Sequence, residues 1–395
     1  MPRPVFLLAF ALTAASARPV FADPPVIAAA PQKDAKPAPA AFDPTRLWDG
    51  RGMVPFRAAD FPKMAPASAA GDFLNDDEYV LGVTVNGESR AYPTRFVWWH
   101  HVVNDKVEKG GRTDYFAITY CSVCNTGARY DLALGGGEAR RLDFYGLYNG
   151  VVALCDRETK SVFLQVSGAF ADGPLAGKAL KPAPLLDTTW GRWKKLHPAT
   201  LVMSPEGPFA KVYAPKGVAE ARGHDRFPIP VFRPTVTRGD LRLPPSDKVL
   251  GVSVPGEAKG TTLRRAYPMK TLVAAGGVVN DTLGASTPIA VFIEPDTQTA
   301  IALSRVVDGR TLTFEARKAD GETHPAFFDK ETGTRWSLEG MGETGPLAGK
   351  SLSRVDNHLS QWYGWAAYYP DTSIFGRDDP PQPGDPFAEP AATRP

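Results

Sequence analysis

Cysteine is scarce in this chain: three residues, at 121, 124 and 155, among 395. So small and odd a number excludes a disulfide-built scaffold, and any role for cysteine must be local. Net charge is equally slight, +2 from 45 Lys and Arg against 43 Asp and Glu. The basic residues are scattered, so the electrostatic footprint of a nucleic-acid binder is missing, and a membrane-surface role is equally unsupported. The Gly-x-Ser-x-Gly elbow of α/β-hydrolases is also missing. After the first residues no stretch of 18 apolar, uncharged positions occurs, so no transmembrane segment is predicted. What the chain holds in excess is turn formers, 37 Gly and 38 Pro, beside a 43% hydrophobic share that is ample for a core. Wholesale disorder and collagen are both excluded.

Residues 1–22 read as an export signal: Arg3, an apolar run from Val5 to Ala15, and Val20-Phe21-Ala22 as a cleavage site. The expected location is periplasmic or secreted, where disulfides persist. The Ala/Pro-rich segment 23–44 and the Pro/Asp-rich tail 377–395 are expected to be flexible.

Between these ends the chain repeats itself. Val80-Leu81-Gly82-Val83 returns as Val249-Leu250-Gly251-Val252, Arg90-Ala91-Tyr92-Pro93 as Arg265-Ala266-Tyr267-Pro268, and Val102-Val103-Asn104-Asp105 as Val278-Val279-Asn280-Asp281. Gly173 to Lys178 recurs unchanged at Gly345 to Lys350, and Trp190 and Trp193 reappear as Trp362 and Trp365. Order is kept and the offset stays between 169 and 176. The pattern predicts two similar domains, 72–203 and 245–376, joined by a Pro-rich connection at 204–244. Short, β-branched, turn-bounded runs make each unit mainly β (α+β), with one or two short helices. One helix is predicted from Pro93 to about Val103 and another from about Thr188 to Leu196.

The duplicate allows one internal comparison, because residues needed for a shared fold should survive in both copies. His100-His101 becomes Gly276-Gly277, Cys121 and Cys124 fall opposite Glu294 and Thr297, and His197 becomes Tyr369. The tryptophans persist, which marks Trp190 and Trp193 as core. The first unit is therefore expected to carry the chemistry, and the second to be structural.

The stretches RAYPTRFVWWHHVVND, ITYCSVCNTGARYD, LCDRETKSVFLQVSG, GPLAGK and WGRWKKLHPAT resemble the family catalogued as the domain of unknown function 3179 (DUF3179), over about residues 72–376. That family usually reads Trp-His-Glu where this chain has Trp99-His100-His101, and Cys-Pro-Leu-Cys-Gly where it has Cys121 to Asn125. The resemblance implies no activity.

Cys121 and Cys124 follow a predicted strand and precede the turn Asn125-Thr126-Gly127 rather than a long helix. A strand followed by a tight turn lets both sulfurs point one way, as a tetrahedral metal requires. His100 is the best third ligand, with His101, His197, water or substrate for a fourth position, and the ligand softness suits zinc or copper. Arg129 and Asp131 on the next strand are expected to orient the ligands from behind. Two alternatives stay open: thiol–disulfide exchange with His100 tuning the attacking thiolate, and a non-catalytic interaction module stapled by a structural disulfide. Cys155 is expected to be a small buried apolar residue, with a resolving thiol as its other possible role. His224, His324 and His358 are expected at the surface. Whether the chain is an enzyme, and its substrate and partners, are beyond the sequence.

Overall fold

The structure, a computed structural model, describes residues 26–27, 42–52, 56–135, 137–213, 215–217, 230–318 and 323–387. The expected export signal and His224 lie outside the described residues. Within them the protein is mainly β, several sheets with few short helices, as its sequence indicates. The α-helices are α1 (Thr94–His100), α2 (Trp190–Leu196), α3 (Met269–Ala274) and α4 (Trp362–Tyr368). No helix among the described residues is long and apolar enough to cross a membrane.

Helix α1 is shorter than its apolar period suggests. His101 takes a left-handed φ of 57° with its N–H on the Val97 carbonyl, and Val102 opens the strand Val102–Lys109. Val102 and Val103 pair with Thr119 and Ile118 of the strand Arg112–Cys121. The strand preference of the β-branched pair thus ends the helix early.

Three five-stranded sheets make the first half. The sheet that carries Cys121 is an antiparallel run of Val102–Lys109, Arg112–Cys121 and Thr126–Asp131, edged by Ala59–Asp60 and Lys181–Ala183. A second contains Leu142–Tyr148 and Val151–Asp156, and a third Tyr79–Val85 and Glu88–Pro93. The second half forms an eight-stranded sheet that includes Lys248–Pro255, Thr287–Glu294 and Arg354–Gln361, and a four-stranded one from Phe314 to Thr344. Val26–Ile27 add to the larger sheet in parallel with Arg354 and Val355. Residues from 377 to 387 lie against the connection between the halves, with the Leu241 N–H on the Gln382 carbonyl and the Phe387 ring 5.8 Å from that of Tyr363.

The repeated motifs make the same contacts twice. The Tyr92 hydroxyl and the Arg90 guanidinium both donate to Asp105, at 2.5 and 2.7 Å, and Tyr267 and Arg265 do so to Asp281, at 2.6 and 2.7 Å. Trp193 Nε1 donates to Thr200 Oγ1 and Trp365 Nε1 to Thr372 Oγ1. Gly82 and Gly251 lie under these indoles, where an added Cβ would come within 2.2 Å of each ring. The Gly-Pro-Leu-Ala-Gly-Lys segment is a turn in both places, with left-handed glycines at 173, 177, 345 and 349.

One core around Leu81, Phe96 and Ile118 belongs to the first half and one around Leu250, Tyr267 and Val291 to the second, but two others are drawn from both halves. One cluster packs Cys121, Cys124, Tyr130 and Phe163 with Trp362, Tyr363, Trp365 and Tyr368 of α4. Another packs Trp190 and Trp193 of α2 with Phe292, Phe327 and Trp336. Burying two indoles of each helix in this way contributes several kcal/mol at about 25 cal/mol per Å² of apolar surface.

Candidate functional site

Cys121 ends its strand in register with Thr126, and the residues between them form the hairpin turn. Asn125 closes that turn at a left-handed φ of 52°, a conformation asparagine tolerates better than most residues. Both thiols are free and buried, 1% and 0% exposed, at one hairpin turn.

Their surroundings differ. Burial opposes ionisation of Cys121, yet the hydrogen bond from Cys124 and the N–H groups of Cys124, Val152 and Val123 outweigh it, and its thiol is shifted down. The Val152 N–H lies 3.3 Å from its sulfur. Cys124 is pushed well up, by burial first and then by its hydrogen bond to Cys121 and the charge there. Thr126 Oγ1 sits 3.1 Å from its sulfur. Cys121 is therefore the more acidic thiol of the pair and Cys124 the less acidic.

Helix α4 forms the lid over this turn. The Gln361 N–H donates to the Cys124 carbonyl at 2.9 Å. A Cβ on Gly364 would stand 3.6 Å from that of Cys124 and 3.0 Å from Val151, so glycine allows the close approach. Tyr363 donates to the Gly150 carbonyl and Tyr368 to the Tyr148 carbonyl, and the burial of both phenols holds their pKa values well up. Asn125 Nδ2, Gln165 Oε1 and Gln361 Oε1 are buried here and have no hydrogen-bond partner among the described residues.

The histidines predicted as ligands are occupied elsewhere. His100 faces inward as expected, but its ring nitrogens lie 2.7 Å from the Arg57 carbonyl and 2.7 Å from the Tyr213 hydroxyl. His101 turns its Nδ1 to the Tyr120 carbonyl and packs between Phe56 and Phe144. His197 caps α2 in a separate cleft, between Ser89 and Glu339. Among the described residues no three His, Cys, Asp or Glu side chains are gathered as a metal would need. The structure thus brings together Cys121 and Cys124 of the predicted ligand set and leaves out His100, His101 and His197.

Arg129 and Asp131 do not stand behind the cysteines. Side chains alternate along the strand Thr126–Asp131, so Thr126, Ala128 and Tyr130 share the face of the cysteines and Arg129 and Asp131 the other. Arg129 instead donates to the carbonyls of Thr84 and Pro184, and Asp131 pairs with it and with Lys181. Cys155 is buried as expected, and burial pushes its thiol up to about 11. It pairs with Asp143 on the neighbouring strand and lies near Arg51. His324 and His358, expected at the surface, are half-buried, the first 3.8 Å from Glu294 and the second against the Trp365 ring.

Sequence reasoning missed Thr126, the Val152 N–H and the α4 cover. One signal was available: Arg192, opposite Gly364 in the repeat, grips Glu294, which stands opposite Cys121. The two copies thus exchange an ion pair for a dithiol beneath a glycine. The family described as "Protein of unknown function (DUF3179)" matches residues 54–372, and no curated protein and no solved structure matches the chain.

Proposed function

Since the chain belongs to the DUF3179 family, whose description assigns no activity, function must be read from the site, and we propose that it is an exported thiol–disulfide redox protein whose working couple is Cys121 and Cys124. The observation that carries this reading is the unequal support of two neighbouring buried thiols: the Cys121 sulfur, with the Val152 N–H 3.3 Å away, is shifted down, while burial pushes that of Cys124 up. That asymmetry is what disulfide exchange uses. The Cys121 thiolate attacks one sulfur of a disulfide, and that partner's other sulfur leaves as a thiolate. Cys124 gives up its proton and attacks Cys121 of the mixed disulfide, releasing the second thiol. The protein's dithiol is then oxidised and the partner reduced by the same two electrons. Because Cys121 is 1% exposed, the exchange requires α4 to swing off the turn. The unpaired polar atoms of Asn125, Gln165 and Gln361 keep this part of the core from being wholly apolar.

The test is a glutathione redox titration of the mature protein, quenched with acid and read by alkylation and mass spectrometry. Cys121 and Cys124 are expected to oxidise together while Cys155 stays reduced, and Cys124→Ser to trap glutathione on Cys121. A pair that never oxidises across the glutathione range defeats the proposal. Stoichiometric zinc or copper in the reduced protein, absent from a Cys121→Ser/Cys124→Ser variant, would replace it with the metal reading. A bridge that resists reduction in the folded chain would make the pair a staple.

A further inference from the structure

The connected side chains in the second cleft suggest chemistry that the dithiol does not need. This cleft, of about 1000 Å³, opens between the halves and is walled by Trp193, Phe327, Trp336 and Leu338. At its polar end His197 Nδ1 lies 3.0 Å from Ser89 Oγ, and His197 Nε2 lies 2.8 Å from Glu339 Oε2. Arg354 Nη2 donates to the other Glu339 oxygen at 2.7 Å. The imidazole packs against the Trp193 indole at a tilt of 36°, with ring centroids 4.0 Å apart.

Charge fixes the direction of the proton between His197 and Glu339. Burial opposes ionisation of Glu339, but the hydrogen bond from His197 and the charges of His197 and Arg354 pull it down to about 2. A carboxylate can only accept, so the Nε2 that faces Glu339 carries a hydrogen, while Nδ1 faces the Ser89 hydroxyl. Thr84 Oγ1 shares a hydrogen bond of 2.9 Å with Ser89 Oγ. The turn at Asn86 and Gly87, both with left-handed φ, sets Thr84 and Ser89 opposite each other. Ser89 and His197 come from the first half, Glu339 and Arg354 from the second.

We propose that Ser89, His197 and Glu339 form an acyl-transfer site that hydrolyses carboxylic esters with an apolar acyl chain. Ser89 Oγ bonds to the ester carbonyl carbon as its proton passes to His197 Nδ1. The bond to the alcohol oxygen breaks, and that oxygen takes the proton from His197. Water then attacks the acyl-serine, with His197 taking its proton and returning it to Ser89, and a carboxylic acid leaves. Ser89 and His197 are the catalytic residues, and Glu339, itself held by Arg354, is a positioning residue. In the repeat, Arg264 and Tyr369 stand opposite Ser89 and His197 and stack at 4.2 Å, so the second copy lacks the relay.

The experiment treats the full-length mature protein with a fluorophosphonate and, separately, with p-nitrophenyl butyrate. One phosphonyl group on Ser89 and steady release of p-nitrophenolate are expected. Ser89→Ala and His197→Ala are each expected to lower that release by about 100-fold or more. Glu339→Gln is expected to lower kcat and move the acid limb of the pH–rate profile to lower pH, which a loss of folding alone would not do. Cys121→Ser/Cys124→Ser is expected to leave hydrolysis unchanged, which keeps this site separate from the dithiol. A native protein left unlabelled at Ser89, or a folded Ser89→Ala with native rates, overturns the proposal.

Discussion

His101 lies 5% exposed between the Phe56 and Phe144 rings, and burial holds its pKa down to about 4, from 6.5. Between those values the unfolded chain binds a proton that the folded chain refuses. Stability is therefore complete above about 6.5 and falls as pH drops toward 4, by up to about 3 kcal/mol. Urea midpoints measured near pH 7 and pH 5 are expected to differ less in His101→Asn, which keeps the left-handed backbone, than in the native protein. An equal drop in both would clear His101 of the effect. At this scale the sequence was partly legible. Losing Cys121 and Cys124 from the duplicate marked the thiols that the structure brings together. The same loss marked His100 and His101, yet these two pack against backbone carbonyls and rings. Loss from a copy shows only that the shared fold can do without a side chain. Arg129 was misplaced for a simpler reason, since counting by twos from Thr126 already puts it on the other face of its strand.

The most persistent sequence element, Arg-Ala-Tyr-Pro followed by Val-Val-Asn-Asp, works as a buried cation, carboxylate and phenol spanning a hairpin and the next strand. Asp105 is 2% exposed, so Asp105→Ala leaves Arg90 and Tyr92 with no acceptor there and is expected to cost about 3–5 kcal/mol, read as a lowered urea midpoint. A change of under about 1 kcal/mol would show the network to be dispensable. Strand positions and α2 were readable from β-branched runs and from paired tryptophans. The end of α1 was not, because its apolar spacing continues through Val102 and Val103, and only pairing with Thr119 and Ile118 decides that these two extend.

Across the whole molecule, the two halves of the sequence repeat each hold a core of their own but share two more: α4 roofs first-half strands, and Arg192 of α2 grips Glu294, which is 0% exposed, through two short bonds. Unfolding is therefore expected as a single transition, with tryptophan fluorescence and far-ultraviolet circular dichroism coinciding in urea. Two resolved steps would show independent halves. Neither this sharing nor the Ser89, His197 and Glu339 relay was legible beforehand, because residues so far apart in the chain carry no spacing signal.

The lid over the dithiol also sets an order of events. A chain made from its N-terminal end emits Cys121 and Cys124 well before Trp362 to Tyr368 arrive to cover them. The turn is thus uncovered while the rest of the chain is made, and any oxidant met in that interval precedes the shelter that later governs access. A newly made molecule and a mature one would then meet the same oxidant with different outcomes, and nicking the chain ahead of α4 would return an old molecule to its newborn state.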